Sequence, residues 1–268
     1  MLKILLYILI IIGLYIFKRY FEFKHLYFPQ RLFIDSPDNW GLQYEDIYFR
    51  TQDGKKLNGW LFTSNEGKIT ILFCHGNAGN ISYRIYYAER FVEKGYNFFI
   101  FDYRGYGKSE GIPSQKGLLL DALSAYEWLT VERGINPEDV IIMGESLGAV
   151  IAIWLATMVD AMCLVAEAPF TSVADMAKEI YRIRPPLWAL HDKYPAEKWI
   201  KKIKMPVLIF HSMDDEVVPF WMGQSIFKSA PEPKKFVTIR GEHCTGIEDP
   251  DYLPSITNFI RKIKFDKK

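Results

Sequence analysis

The pentapeptide GESLG, residues 144–148, stands between two apolar runs of the sequence. The run before it, residues 140–143, has the length and composition of a buried strand, and the run after it, residues 149–155, continues as a helix would. A serine between two glycines at such a junction matches the G-x-S-x-G turn, which is too tight for side chains at the flanking positions and exposes the serine hydroxyl at a sheet edge. The motif therefore predicts that Ser146 is a nucleophile.

Short apolar runs alternate with helix-length segments along much of the chain. Apolar runs without polar alternation are typical of strands covered on both faces of a parallel sheet. The expected strands are residues 69–74, 97–102, 140–143, 162–166 and 207–210, with 236–240 as the last strand. The expected helices are residues 81–94, 115–133, 147–158, 220–229 and 251–264. A hairpin of residues 44–50 and 57–63 around an Asp-Gly turn precedes them. This order predicts an α/β fold with a mostly parallel central sheet flanked by helices on both faces.

The composition fits one large globular domain, since 49% of the 268 residues are hydrophobic. The 33 Lys and Arg residues balance 32 Asp and Glu residues, which argues against a nucleic-acid partner. Cys74, Cys163 and Cys244 cannot all pair and have no metal-ligand spacing, so neither a disulfide framework nor a metal site is indicated.

The N-terminal region carries an unbroken apolar stretch, residues 4–17. A helix of this length spans roughly 21 Å, and its flanking residues extend it toward the bilayer core of about 30 Å. We therefore expect residues 1–23 to form a single-pass N-terminal membrane anchor, and the charges on its two flanks leave its orientation open. A cleaved signal peptide and a surface-lying or buried helix are the alternatives. The α/β domain would then be residues 24–268, with residues 169–204 as a small helical lid insertion that interrupts the alternation of strands and helices.

A nucleophilic serine needs a base within hydrogen-bond reach and a carboxylate that orients this base. Of the five histidines, His243 alone follows the last strand in a loop able to reach the serine. The loop at residues 211–219 offers three carboxylates, and the residues alone leave the choice among them open. Serine, acid and histidine in this order are what the α/β-hydrolase architecture requires.

The oxyanion formed during such a reaction needs backbone N–H donors, each contributing roughly 3 to 4 kcal/mol to the lowering of the barrier. Leu147, directly after the serine, is one expected donor. The small residues of the loop at 74–80 allow another, and Asn77 is the best candidate. His75 is expected to hold this loop by hydrogen bonding, and Arg104 to be a structural ion-pair partner.

Several ordered motifs resemble those of one family. They are LYFP (26–29), TQDG (51–54) with GW (59–60), HGNAGN (75–80), DYRGYGKS (102–109), GESLG (144–148) and APFTS (168–172). Together they identify the chain as similar to the Bem46-like group of the α/β-hydrolase superfamily, which includes membrane-anchored abhydrolase-domain proteins. The resemblance implies that the acid is Asp215, with Asp214 and Glu216 as bystanders, and it supports Asn77 as an oxyanion donor. Ser212 departs from the family's usual glycine, and residues 241–245 depart from its more usual G-x-G-H-N-D.

The expected function is that of a serine esterase, lipase or thioesterase without a metal or organic cofactor. It would cleave carboxylic esters or thioesters of an apolar or acyl substrate through Ser146, Asp215 and His243 and an acyl-enzyme. A serine peptidase and a membrane-tethered binding module without turnover are the alternatives. Trp188 and Tyr181 in the insertion are expected either to line an apolar pocket or to form the insertion's own small core.

Overall fold

The computed structural model describes residues 2–65 and 67–266. Its strands, in chain order, are β1 (Phe28–Pro29), β2 (Tyr44–Arg50), β3 (Lys56–Phe62), β4 (Thr70–Cys74), β5 (Ala78–Gly79), β6 (Asn97–Phe101), β7 (Val140–Glu145), β8 (Cys163–Glu167), β9 (Val207–Ser212) and β10 (Lys234–Ile239). Within the described residues, eight strands form one sheet in the order β10-β9-β8-β7-β4-β6-β3-β2. The pairs β2–β3 and β3–β6 are antiparallel and the others parallel, so the predicted mostly parallel sheet is confirmed.

The α-helices surround this sheet. They are α1 (Leu2–Leu26), α2 (Ile85–Glu93), α3 (Gln115–Glu127), α4 (Leu147–Leu155), α5 (Val173–Tyr181), α6 (Ala196–Trp199), α7 (Phe220–Ser229) and α8 (Tyr252–Asp266). Two expected helices are less regular than predicted. A 3-10 turn, Ile81–Arg84, precedes α2, and a π-helical segment, Trp128–Glu132, follows α3. Both changes leave the predicted strand–helix order intact.

The hydrophobic core lies in two layers, one on each face of the sheet. Buried side chains of α3, α4, α6 and α7 fill one layer, and those of α2 and α8 fill the other. The central strands are buried along their whole length, which explains why their sequences show no polar alternation. Apolar burial contributes about 25 cal/mol per Å², so both layers stabilise the sheet. Because such cores are closely packed, the strand ends and the side chains that follow them are held in fixed positions.

The N-terminal helix differs from the predicted anchor. Instead of ending near residue 23, α1 covers 25 residues and ends at Leu26, with Lys18, Arg19, Glu22 and Lys24 in its second half. Among the residues that the structure describes, no helix has the length and apolar character needed to cross a membrane. The prediction of a spanning anchor is therefore not supported by the structure. Met1, which belongs to the predicted anchor, lies outside the described residues.

The last turns of α1 contact the segment predicted as an insertion, residues 169–204. The backbone N–H of His191 donates to the Glu22 carboxylate at 3.1 Å, and the Tyr27 hydroxyl donates to Asp192 at 2.9 Å. The segment is helical as expected, with α5, α6 and short 3-10 turns. Its Trp188 is 84% exposed and its Tyr181 is 48% exposed, so the expectation that these rings form a small core of their own is wrong.

Candidate active site

Ser146 lies at the sharp turn between β7 and α4. Its backbone has φ 52° and ψ −119°, a conformation that non-glycine residues rarely adopt and that costs about 1 to 3 kcal/mol. A Cβ atom on Gly148 would overlap the carbonyl oxygens of Cys74 and His75, and one on Gly144 would overlap the backbone of Gly148. Glycine is therefore required at both positions, and the strained serine presents its hydroxyl at the carboxyl edge of the sheet.

His243 lies in the loop after β10 and contacts this hydroxyl. Its Nε2 is 3.0 Å from Ser146 Oγ, although 97 positions separate the two residues in the sequence. The imidazole is partly buried, with a side-chain exposure of 16%. A neutral imidazole carries one ring proton. When this proton is on Nδ1, Nε2 can accept the proton of the serine hydroxyl.

Asp215 accepts a hydrogen bond from the proton on Nδ1 of His243. Its Oδ2 is 2.8 Å from His243 Nδ1, and its Oδ1 accepts the backbone N–H groups of Val217 and Val218 at 2.9 and 2.7 Å. Only 1% of its side chain is exposed. The loop after β9 thus fixes the carboxylate by one oxygen and leaves the other for the imidazole. The structure brings together the three side chains that the sequence predicted.

The two neighbouring carboxylates have different surroundings. Asp214 is half exposed and forms an ion pair with Arg240 at 3.1 Å, as befits a bystander. Glu216 accepts the backbone N–H of His243 at 3.2 Å, so it helps to hold the histidine loop, a role that the sequence did not indicate. Sequence motifs are local, so they do not indicate a hydrogen bond between two loops that are distant in the chain.

The electrostatics of the His243–Asp215 pair follow from burial and mutual contact. Burial alone would lower the pKa of His243, but the hydrogen bond and negative charge of Asp215 outweigh it, and the pKa lies above 6.5. For Asp215, burial raises the pKa, but the hydrogen bond and charge of His243, together with the backbone hydrogen bonds of Val218 and Val217, give a net lowering. The aspartate is therefore ionised near neutral pH, and it favours a protonated imidazole.

The predicted oxyanion donors are the backbone N–H groups of Leu147, in α4, and of Asn77, in the loop after β4. Leu147 is the first residue of α4, where backbone N–H groups have no acceptor inside the helix. The Asn77 carbonyl accepts the Tyr106 hydroxyl at 2.8 Å and the backbone N–H of Phe28 at 3.0 Å. Neither of these bonds uses the Asn77 N–H. The second one belongs to the parallel pairing of β1 with β5, which ties the segment after α1 to the oxyanion loop.

His75 and Arg104 behave as expected from the sequence. His75 Nδ1 donates to the carbonyl of Gly76 at 2.7 Å, and burial lowers the pKa of this histidine to about 3, which keeps it neutral. It therefore supports the oxyanion loop. Arg104 forms ion pairs with Asp53 and Asp121 at 2.9 and 2.7 Å, away from Ser146 in the network of the β6–α3 connection.

Cys244 contacts the imidazole of the preceding residue, His243. Its Sγ is 3.4 Å from Nε2 of His243, and its backbone φ of 58° is in the left-handed region. Burial raises the pKa of the thiol well above its ordinary value, followed in effect by the nearby carboxylates of Glu145 and Glu167. The thiol is thus neutral and makes only a weak contact with the imidazole.

A mixed sheet of this order, with a serine at the strand-to-helix turn and acid and histidine loops after later strands, defines an α/β-hydrolase. A family model described as serine aminopeptidase, S33, matches residues 65–198. An uncharacterised protein of Mycobacterium tuberculosis is 36% identical over 230 residues, which cover 85% of this chain and 81% of that protein. An uncharacterised membrane protein of Saccharomyces cerevisiae is 30% identical over 235 residues, covering 85% and 83%. Protein bem46 of Schizosaccharomyces pombe is 35% identical over 209 residues, covering 72% and 68%. The chain therefore belongs to the Bem46-like group of α/β-hydrolases, which confirms the resemblance seen in its motifs.

Solved structures give the same fold. The esterase Pf2001 of Pyrococcus furiosus superposes with a TM-score of 0.74 at 21% identity, covering 89% of this chain and 98% of that chain. Est1E of Butyrivibrio proteoclasticus, solved with ferulic acid bound, gives a TM-score of 0.65 at 23% identity, covering 82% and 98%. At this level of identity the likeness concerns the fold.

Proposed function

We propose that the protein is a serine hydrolase that cleaves carboxylic ester or thioester bonds through Ser146, His243 and Asp215. The observation that carries the proposal is the unbroken hydrogen-bonded series from Ser146 Oγ through His243 to Asp215, at 3.0 and 2.8 Å. Such a series has the geometry of an activated serine, in which nucleophile, base and orienting carboxylate lie within hydrogen-bond distance of one another.

The first half-reaction forms an acyl-enzyme. Ser146 Oγ attacks the substrate carbonyl carbon while its proton passes to Nε2 of His243. The carbonyl oxygen becomes an oxyanion, which the backbone N–H groups of Leu147 and Asn77 stabilise. The tetrahedral intermediate then expels the alcohol or thiol, which receives the proton from His243. Throughout this step the Asp215 carboxylate keeps the proton on Nδ1 and stabilises the imidazolium.

The second half-reaction repeats these roles with water as the nucleophile. His243 takes a proton from the water as it attacks the acyl carbon, and the same two N–H groups hold the new oxyanion. When the intermediate collapses, His243 returns the proton to Ser146 Oγ and the carboxylic acid leaves. The steps use only side chains and backbone amides of this chain.

The two alternatives make different predictions. A peptidase is favoured by the description of the matching family model, whereas the esterases among the structural neighbours favour ester cleavage. Matched ester and amide substrates with the same acyl group separate these activities. A binding module without turnover has no physical need for the hydrogen-bonded trio, and it would show ligand-induced thermal stabilisation without hydrolysis of a broad ester panel.

The direct test of the proposal is labelling with a fluorophosphonate, which reacts only with an activated serine. We expect the full-length protein to be labelled on Ser146 and its Ser146→Ala variant to be unlabelled, with ester hydrolysis reduced about 10⁶-fold. If a folded wild-type protein stays unlabelled and the variant hydrolyses short esters as fast, the proposal is wrong.

We further propose that α1 brings the enzyme to a membrane surface, where an apolar acyl substrate would be encountered. Among the α1 side chains that the structure describes, the apolar ones that are at least 48% exposed are Tyr7, Leu9, Ile10, Ile12, Tyr15, Ile16, Tyr20 and Phe21. Basic residues follow them, an arrangement suited to anionic headgroups. The printed name of the Saccharomyces cerevisiae relative, a membrane protein, is consistent with this.

Vesicle flotation tests this part of the proposal. With phosphatidylglycerol-containing vesicles, we expect the wild-type protein to float and the Ile12→Glu/Ile16→Glu variant to remain in the dense fraction. Ile112→Glu is the matched control, since Ile112 is 75% exposed on the hydrolase domain. Equal flotation of all three proteins would refute a role of α1 in membrane association.

A further inference from the structure

Two buried glutamates end adjacent strands beside the serine. Glu145 is the last residue of β7 and Glu167 the last residue of β8, and the two are register partners. They are 1% and 2% exposed. The backbone carbonyl of Glu167 also accepts the N–H of Ser146 at 2.9 Å. Buried carboxylates are costly unless they are hydrogen-bonded, so their partners indicate what they do.

Glu145 bonds to the loop that carries Asn77. Its Oε1 accepts the backbone N–H of Gly76 at 3.0 Å and Nε of Arg84 at 2.7 Å. Gly76 directly precedes Asn77, so this bond fixes the peptide next to the proposed oxyanion donor. Arg84 in turn donates to the carbonyl of Ala78 at 3.0 Å, on the other side of Asn77. The glutamate–arginine pair therefore holds the oxyanion loop, residues 75–80, at two points.

Glu167 bonds to the loop that carries His243. Its Oε1 accepts the backbone N–H of Gly246 at 2.9 Å, three positions after the histidine. Its Oε2 accepts the hydroxyls of Tyr87 at 2.9 Å and Tyr252 at 2.6 Å, which reach it from α2 and α8. A Cβ on Gly246 would lie 2.6 Å from Oε1, so the loop approaches the carboxylate as closely as glycine allows. The histidine loop, residues 241–246, is thereby tied to the sheet and to two helices.

We propose that Glu145 and Glu167 are positioning residues that hold the oxyanion loop and the histidine loop in place for the reaction at Ser146. This inference rests on the proposed function, since it assigns both loops to the same reaction. Each loop reaches the site from a different part of the chain. The oxyanion loop is bonded to the end of β7, and the histidine loop is bonded to the end of the adjacent strand β8. One pair of register partners thus sets the distance between base, nucleophile and oxyanion donors.

Both charges also act on the base. Burial lowers the pKa of His243, and Asp215 raises it. The negative charges of Glu145 and Glu167 raise it further, by less than Asp215 does. Burial raises the pKa of Glu167 itself to about 7, partly offset by the Tyr252 hydrogen bond. Among the described residues, the ionisable groups that face Glu167 are Glu145, Tyr86, Tyr87, Tyr252, Cys244 and His243. Removing either negative charge should therefore lower the pKa of His243, and the pH dependence of the reaction reports that change.

The experiment compares Glu167→Gln and Glu145→Gln with the wild-type protein, using ester kinetics over a range of pH. Glutamine keeps the size and the accepting oxygen but removes the charge. We expect kcat to fall about tenfold and KM to change less than twofold in both variants. The acidic limb of kcat/KM should move down by roughly half a pH unit in Glu145→Gln and by less in Glu167→Gln, because the pKa of Glu167 is about 7 and its carboxylate is partly protonated on that limb. Glu248→Gln is the matched control, because Glu248 is exposed in the 3-10 turn after the histidine loop.

Alanine variants test the bonds themselves. Glu167→Ala loses the acceptor for Gly246, and we expect kcat to fall about 10²-fold, as a small displacement of a catalytic group does. Glu145→Ala should weaken inhibition by a phenylboronic acid, whose tetrahedral serine adduct places an oxygen at the oxyanion donors, by tenfold or more. Thermal unfolding identifies any alanine variant that fails to fold. At such a position, the kinetics of the glutamine variant test the positioning role instead.

The outcomes separate this inference from the function on which it depends. If the wild-type protein and Glu248→Gln lack Ser146-dependent turnover, the proposed function fails. If both turn over and the glutamine variants show an unchanged kcat and the wild-type pH profile, the positioning role is refuted. Variants that lose only stability, with an unchanged pH profile, refute it as well.

Discussion

Replacing Asp215 by asparagine tests the proposed site most sharply, because the side chain keeps its shape while one oxygen becomes an N–H₂ group. The new amide can turn in two ways. If its nitrogen faces the N–H groups of Val217 and Val218, two donors meet a donor, at a cost of about 1 to 3 kcal/mol each. If it faces His243 Nδ1, only one bond must change. The structure therefore favours the second orientation.

That orientation reverses the imidazole. Nδ1 of His243 must then accept a hydrogen bond, so its proton moves to Nε2, which points at Ser146 Oγ and can no longer accept the serine proton. Restoring the reactive tautomer requires the unfavourable amide orientation, at about 2 to 6 kcal/mol in total, and the variant also lacks the negative charge that stabilises the imidazolium. We expect kcat to fall about 10⁴-fold, equivalent to about 5.4 kcal/mol.

The assay is steady-state hydrolysis of a p-nitrophenyl ester, with circular dichroism to verify the fold. Asp214→Asn is the matched control, because this neighbour is half exposed and pairs with Arg240 at the surface. Its activity should stay within about twofold of the wild type, as expected for a surface pair. A folded Asp215→Asn protein that loses less than tenfold in kcat would refute the role assigned to Asp215.

Three further predictions concern the pKa of His243, the ion pair of Arg104 with Asp121, and the glycine at position 148. Because the pKa of His243 is raised and the base must be neutral, kcat/KM should fall as pH drops through a midpoint above 6.5; a midpoint at or below 6.5 would contradict this. Arg104→Met leaves the buried carboxylate of Asp121 without its cation, so urea unfolding at pH 7 should show a loss of about 3 to 5 kcal/mol. The loss should be smaller at pH 5, since burial raises the pKa of Asp121 to about 6 even with Arg104 present; an equal loss at both pH values speaks against the pairing. Gly148→Ala should abolish soluble folded protein, because the added carbon overlaps the backbone of Cys74, and recovery of an active variant would show that the turn can relax.

The strands and the serine turn could be predicted from the sequence because their signals are local. A buried parallel strand requires an apolar run, and the turn at Ser146 requires glycine at 144 and 148 on steric grounds. The structure places each expected strand within two residues of its predicted ends. His243 was also identifiable, since strand order restricts which loops can reach the serine.

Contacts between distant loops could not be predicted in this way. The choice of Asp215 over its neighbours depended on family resemblance, because only the fold shows which carboxylate has its Oδ1 bonded to loop amides. The bonds of Glu216 to the His243 backbone and of Glu167 to Gly246 join segments with no periodicity in common. Likewise, the apolar run in α1 predicted a helix correctly, but gave no indication that its charged end contacts the segment at 191–192.

The two-residue strand β1 makes the N-terminal helix part of the machinery rather than a detachable tether. Only Tyr27 separates the end of α1 from Phe28, whose N–H bonds to the carbonyl of Asn77. A tilt of α1 would thus shift the Asn77 carbonyl, which belongs to the peptide directly after the proposed oxyanion donor. Turnover should depend on how the helix is seated, and a shortened protein should retain the chain from Leu26 onward to keep that linkage.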